Sequence, residues 1–146
     1  MHTHFHDDIQ EPLRGELESI LRSCVHCGFC NATCPTYQLQ GDELDGPRGR
    51  IYLIKQVLEG KPATRLTQQH LDRCLTCRSC ETTCPSGVQY GRLLDAGRVI
   101  VDRQAGRACV DRLMRFFMLS IFPYRQRFAA LLKVAQWFKP VLPSAI

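Results

Sequence analysis

Apolar positions along the chain recur at helical spacing. Leu13, Leu17, Ile20 and Leu21 form one such stripe, with Pro12 suited to a first turn. A polar loop from Gln40 to Gly46 follows. Pro47 then opens a second helix with Ile51, Ile54 and Leu58 on its apolar face and Val57 beside it, and Gly60 followed by Pro62 ends it. Thr64 or Thr67 caps a shorter helix carrying Leu66, His70 and Leu71. Ser86 caps a longer one, whose stripe is Tyr90, Leu93, Leu94, Gly97, Ile100 and Val101 and which Gly106 interrupts. From Arg107 a basic amphipathic helix runs to Pro123. Another runs from Tyr124 to Lys139, stopped by Pro140 and Pro143. No alternating strand pattern or hairpin signal stands out, so the expected fold is mostly α. Residues 1–106 read as one domain and 107–146 as a helical tail. The start, with His2, His4 and His6 alternating, reads as a frayed terminus rather than a metal site.

The polar positions that break this pattern hold a repeat. Cys24, Cys27, Cys30, Thr33, Cys34 and Pro35 recur as Cys74, Cys77, Cys80, Thr83, Cys84 and Pro85, each shifted by 50 residues. Both copies read C-x2-C-x2-C-x3-C-P. A [4Fe–4S] cube needs four soft thiolates, one per iron, and three cysteines at two-residue gaps let one loop wrap three corners. The fourth cysteine faces away, and in two-cluster ferredoxins it ligates the other cluster. The expected ligand sets are therefore Cys24, Cys27, Cys30 and Cys84 for cluster one, and Cys74, Cys77, Cys80 and Cys34 for cluster two. Pro35 and Pro85 are expected to end the local helix after each crossing ligand. Structural zinc prefers two separated ligand pairs, and the doubled motif weighs against it.

Cysteine chemistry depends on compartment. The start, MHTHFHDDIQEPLRGE, has neither a basic lead nor an apolar run, which predicts a reducing cytosol and argues against disulfides. The longest apolar stretch, around Phe116–Phe122, falls far short of the roughly 20 residues of a membrane span. The net charge of +5 divides into −2 over residues 1–86 and +7 over residues 87–146. Two oxidised clusters, each about −2 with its thiolates, would reduce the total to about +1, so the basicity is no argument for nucleic acid. The basic, apolar tail suits either an anionic membrane surface or, preferred here, a protein-covered face.

Other candidates carry less. Cys109, outside both motifs, reads as a buried, inert thiol. His26, between two ligands, can donate to a cluster sulfur, but Thr76 at the repeat position shows that histidine is not required there. Val25, Phe29, Leu75 and Val88 are expected to line the pockets. The charged loop Asp42–Arg50 is a candidate partner contact through Asp42, Glu43, Asp45, Arg48 and Arg50, with neutralisation of the clusters as the other reading of the two arginines. No G-x-G-x-x-G, phosphate loop or acid/base dyad is present, so no catalytic residue is expected.

The segments CVHCGFCNATCPTY from Cys24, GDELDGPRGRIYLIK from Gly41 and HLDRCLTCRSCETTCPSGV from His70 closely resemble the iron–sulfur subunit of bacterial glycolate oxidase, or glycolate dehydrogenase. The cysteines alone point only to the wider α-helical ferredoxins, which include heterodisulfide reductase and succinate dehydrogenase subunits; DGPRGR narrows the match, which covers roughly residues 13–105. The resemblance implies an α-helical ferredoxin-like domain with two [4Fe–4S] clusters in a hetero-oligomer. Flavin-containing subunits would oxidise glycolate to glyoxylate, and this chain would carry the electrons toward a quinone-type acceptor, in the cytoplasm or peripherally on its membrane. Longer members continue into Cys-Cys-Gly domains, and no Cys-Cys-Gly occurs in these 146 residues. The same relay serving lactate, glycerol 3-phosphate or heterodisulfide chemistry, and a cluster-based redox sensor, stay open.

Overall fold

The computed structural model describes residues 12–138. Its regular elements are all helical, and no strand occurs among the described residues. They fall into two compact units, one ending at Gly106 and one beginning at Arg107.

In the first unit, α1 (Leu13–Ser23) leads into the first cysteine loop, which α2 (Phe29–Ala32) and α3 (Pro35–Gln40) close. A 3-10 turn (Glu43–Asp45) precedes α4 (Pro47–Leu58). Next come α5 (Arg65–Asp72), the second cysteine loop with α6 (Ser79–Thr83), and α7 (Tyr90–Ala105). The core is Leu17, Ile20 and Leu21 of α1, Ile51, Ile54, Val57 and Leu58 of α4, Leu71 of α5, and Leu93, Leu94 and Val101 of α7. Fully burying one such side chain contributes about 1.5–3 kcal/mol. Gly97 lets α7 approach α4 closely, since a Cβ there would lie 2.7 Å from Ile54 Cγ1.

Local chemistry sets the boundaries. Pro47 stands in the first turn of α4. Beyond its end, Gly60 (φ +93) donates to Val57 O and Lys61 to Gln56 O, a Schellman closure. Thr64, rather than Thr67, caps α5, its hydroxyl accepting from Thr67 N–H at 3.1 Å. Three expectations need correction. Pro35 opens α3 instead of ending a helix, because proline's fixed φ and missing N–H suit a first helical position. Ser86 lies in a turn and caps nothing, as α7 starts at Tyr90. Leu66 faces solvent, and α5 buries Gln68, His70 and Leu71.

The second unit contains α8 (Cys109–Ile121) and α9 (Arg125–Phe138). Phe122 and Phe128 stack across their junction at 5.4 Å, and the Arg127 guanidinium lies 4.5 Å from the Tyr124 ring centre. Lys139, Pro140 and Pro143, expected to end α9, and His2, His4 and His6 lie outside the described residues. None of the helices described is long and apolar enough to cross a membrane.

Candidate metal centre

Each cysteine triplet occupies a loop held open by unusual backbone. The first loop passes through left-handed conformation at His26 (φ +56) and Gly28 (φ +84), the second at Thr76 (φ +57) and Arg78 (φ +59). For the three non-glycine residues this costs about 1–2 kcal/mol each. Left-handed residues interleaved with ordinary ones turn successive N–H groups inward, forming a concavity that suits an anion. The backbone N–H of His26 reaches the Cys24 thiol, and that of Ser79 reaches Cys77. The two loops are stitched together by Thr33, whose hydroxyl lies 3.3 Å from both Cys30 O and Ser79 O, while its repeat counterpart Thr83 donates at 3.1 Å to the same Ser79 O within α6.

Two neighbouring pockets result. Cys24, Cys27, Cys30 and Cys84 line the first, and Cys34, Cys74 and Cys77 line the second, with Cys80 bordering both. The pockets enclose about 440 and 390 Å³, counting the space that opens to solvent. The first pocket thus combines three thiols of the first copy with Cys84 and the shared Cys80 of the second, and the second pocket combines three thiols of the second copy with Cys34 of the first. Val25, Phe29 and Val88 line the first pocket and Leu75 the second, all as expected, although only Val88 is itself buried.

The electrostatics describe a set of thiols made to share a cation. Burial pushes the Cys24 and Cys30 thiols up, and crowding by neighbouring cysteines adds to it. Burial, then Cys74 and Cys30, pushes Cys80 up to about 12. The exposed Cys77 is instead lowered by hydrogen bonds from Ser79. Gathering such groups as thiolates is unfavourable without a positive core between them.

Charge around the pockets is also built in. Arg50, fully buried, donates to His70 O at 2.7 Å and to Thr36 Oγ1 at 3.1 Å, and its Nη1 lies 4.0 Å from Cys34 Sγ. Asp45, equally buried, holds Arg50 at 3.5 Å, His70 Nδ1 at 3.0 Å and Arg73 at 2.7 Å. Burial works to raise its carboxyl, but the hydrogen bonds from His70 and Arg73 outweigh it and hold Asp45 below the usual value. The Tyr90 hydroxyl donates to Cys74 Sγ at 3.7 Å. At the first pocket Arg48 is tied to Glu43 at 2.6 Å.

These placements revise the charged loop. Asp45 and Arg50 are spent inside the unit and cannot contact a partner, whereas Arg48 and Arg50 stand beside the thiol pockets. Cys109 is exposed on α8, not buried, because the side chains of that helix find little cover within its own unit. Tyr90 and Thr36 are functional candidates that the sequence alone did not single out. Tyr90 sits in an apolar stripe that hides its hydroxyl, and Thr36 follows a motif whose spacing draws the eye to sulfur.

Comparison with known proteins agrees with this geometry. Residues 20–88 match the family model of the 4Fe-4S dicluster domain. The chain carries a 4Fe-4S dicluster domain. It is 56% identical over 147 residues to the glycolate oxidase iron-sulfur subunit of Escherichia coli (strain K12), covering 100% of this chain and 36% of that protein. It is 38% identical over 113 residues to the probable glycolate oxidase iron-sulfur subunit of Bacillus subtilis (strain 168), covering 75% of this chain and 26% of that protein. The chain is thus a homologue of these subunits that spans about a third of their length or less.

A dicluster domain holds two [4Fe–4S] clusters, and the residues present fit them. The cysteine thiols of the two pockets are the donor set, and the inward N–H groups and guanidinium charge suit the anionic sulfurs around it. The Nε2 atom of His26, at the first pocket, is buried with no hydrogen-bond partner, an orphan that a cluster sulfur would satisfy.

Proposed function

We propose that this chain is the electron-carrying part of a glycolate oxidase iron–sulfur subunit. It would receive electrons from flavin-containing subunits that oxidise glycolate to glyoxylate and pass them toward a quinone-type acceptor. The observation that carries the relay is the pair of pockets sharing Cys80 as a wall, which sets two redox centres side by side. Glycolate as the ultimate donor rests on the likeness to the named relatives.

In this reading Cys24, Cys27, Cys30 and Cys84 hold the first cluster, and Cys74, Cys77, Cys80 and Cys34 the second. A cluster, when bound, takes up and releases one electron at a time, so two neighbours suit a donor that delivers a pair. The protein's part is to fix the thiols, exclude water and set the charge. Leu17, Ile51 and Leu94 are among the core residues that hold the loops from behind. Cys27 and Cys77, both exposed, mark the solvent-facing corner of each site, where electrons enter and leave. The reading places the chain in a reducing cytoplasm and keeps substrate chemistry off it, since removing hydrogen from a 2-hydroxy acid needs a positioned base and a two-electron acceptor.

The test mixes anaerobically purified chain with the flavin-containing subunits, glycolate and a dye acceptor. The chain alone is expected to be silent. Its visible absorbance should bleach with glycolate only when the flavin subunits are present. Turnover by the chain alone, or absorbance that stays oxidised in the full mixture, overturns the proposal.

A further inference from the structure

The two pockets are related by a sequence repeat but differ in charge. Both offer backbone donors: the thiols of Cys30 and Cys80 each receive their own N–H. Those contributions match and cancel in a comparison. The side chains do not match. At the second pocket the fully buried Arg50 lies 4.0 Å from Cys34 Sγ, and the Tyr90 hydroxyl donates to Cys74 Sγ at 3.7 Å. Arg78 also lines this pocket. Arg98 clamps the same loop, donating to Cys74 O at 2.8 Å, Leu71 O at 2.9 Å and Thr76 Oγ1 at 3.2 Å. Two carboxylates stand on this side. The buried Asp45 is divided between Arg50 and Arg73, and the part-buried Glu81 accepts from Gly91 N–H at 2.6 Å and acts on Cys80. The guanidiniums of Arg50, Arg73, Arg78 and Arg98 still leave positive charge in excess.

The first pocket has less. Its guanidinium, Arg48, is 37% exposed and paired with Glu43 at 2.6 Å, so its charge is both compensated and screened by water. His26 adds one buried ring nitrogen there, Nε2, with no partner. The repeat position of Arg50 is Ile100, and that of Thr36 is Ser86, so the crossing thiol Cys84 has no counterpart of the buried arginine.

Reduction adds negative charge to a cluster, and nearby positive charge and donors to its sulfurs raise the potential. We propose that Arg50, Tyr90 and Arg98 make the second pocket the higher-potential site, so that electrons run from the Cys24–Cys30 loop to the Cys74–Cys80 loop. Arg50 acts as a tuning residue through Cys34, not as a docking group. The inference rests on the two-cluster reading above and adds the direction of flow within it.

The experiment is an anaerobic redox titration of the full chain followed by EPR. The two midpoints are assigned with Cys27→Ser and Cys77→Ser, which each perturb one centre. The centre perturbed by Cys77→Ser should have the higher midpoint. Arg50→Gln should lower that midpoint alone by about tenfold in the reduced-to-oxidised ratio at fixed potential, about 59 mV for one electron. Tyr90→Phe and Arg98→Gln should lower the same midpoint by less, and they carry the test if Arg50→Gln fails to fold. A higher midpoint at the Cys27 centre overturns the inference, as does a Cys77-centre midpoint unmoved by every folded variant. A wild-type content well below about eight iron per chain overturns the two-cluster reading instead.

Discussion

Gly49 sits in the first turn of α4, where glycine is a poor choice by propensity: alanine would favour the helix by about 1 kcal/mol. Packing decides otherwise. A Cβ at Gly49 would lie 2.1 Å from Glu43 O, a backbone atom that cannot swing aside. Gly49→Ala is therefore expected to destabilise the unit by about 1–3 kcal/mol despite the better propensity. Faster bleaching of the visible absorbance on anaerobic heating checks it. Asp45 is a larger case. Asp45→Asn removes the one carboxylate facing two guanidiniums, leaving Arg50 buried and uncompensated, a loss of about 3–5 kcal/mol. A variant as heat-resistant as the parent would refute the account of this network. Both residues stand in the segment DGPRGR, where the sequence shows charge and glycine but not which side chains turn inward. That is settled by the 3-10 turn at Glu43–Asp45, which carries Asp45 under α5.

Between elements, the informative contact is that of α2 with α6, which brings each triplet beside the other repeat's fourth cysteine. Cys34→Ser is thus expected to damage the centre of Cys74, Cys77 and Cys80 and spare that of its own sequence neighbours, with Cys84→Ser doing the reverse. EPR of the two variants distinguishes them, and damage confined to the sequence-local centre would contradict the crossing. The helices themselves were largely legible, because α1, α4 and α7 bury regular stripes beside proline or glycine boundaries. The short α2, α3 and α6 were not. Four to six residues show no periodicity, and their reason to be helical is the loop each one closes. In the second unit α8 is amphipathic: Asp111, Arg112 and Arg115 share one side, and Val110, Leu113, Met114, Phe116, Phe117 and Met118 stand exposed over the broader remaining arc. That polar side is narrow and carries an aspartate among its arginines, and an apolar arc broader than the polar one suits protein cover better than an anionic surface. Flotation with liposomes is therefore expected to show no dependence on anionic lipid, and enhanced binding to anionic vesicles would revive the membrane reading.

Taken whole, the molecule keeps its cysteine pockets and its core within the first unit. Removing residues 107–146 is expected to leave the iron content at about eight per chain, measured against the full chain. A drop to half or less would show that the second unit supports a pocket. Of the candidate site, the eight motif cysteines were legible because spacing alone encodes them. Arg50 and Tyr90 were not legible as neighbours of sulfur, since each reaches it across 16 residues of chain, and Thr36, 3.1 Å from Cys34 Sγ, was hidden behind the cysteine spacing two residues before it.

The sharing of thiols between repeats also sets an order of manufacture. A ribosome delivers the first motif early, yet the pocket it begins lacks its last thiol until Cys84 emerges. The second pocket, started later, is complete at Cys80. The site begun first is finished last, and no nascent chain shorter than 80 residues has a complete one. Iron offered to the growing chain meets partial sites with exposed thiols. Delivery late in synthesis, after both halves have met, is the route that avoids trapping the wrong metal.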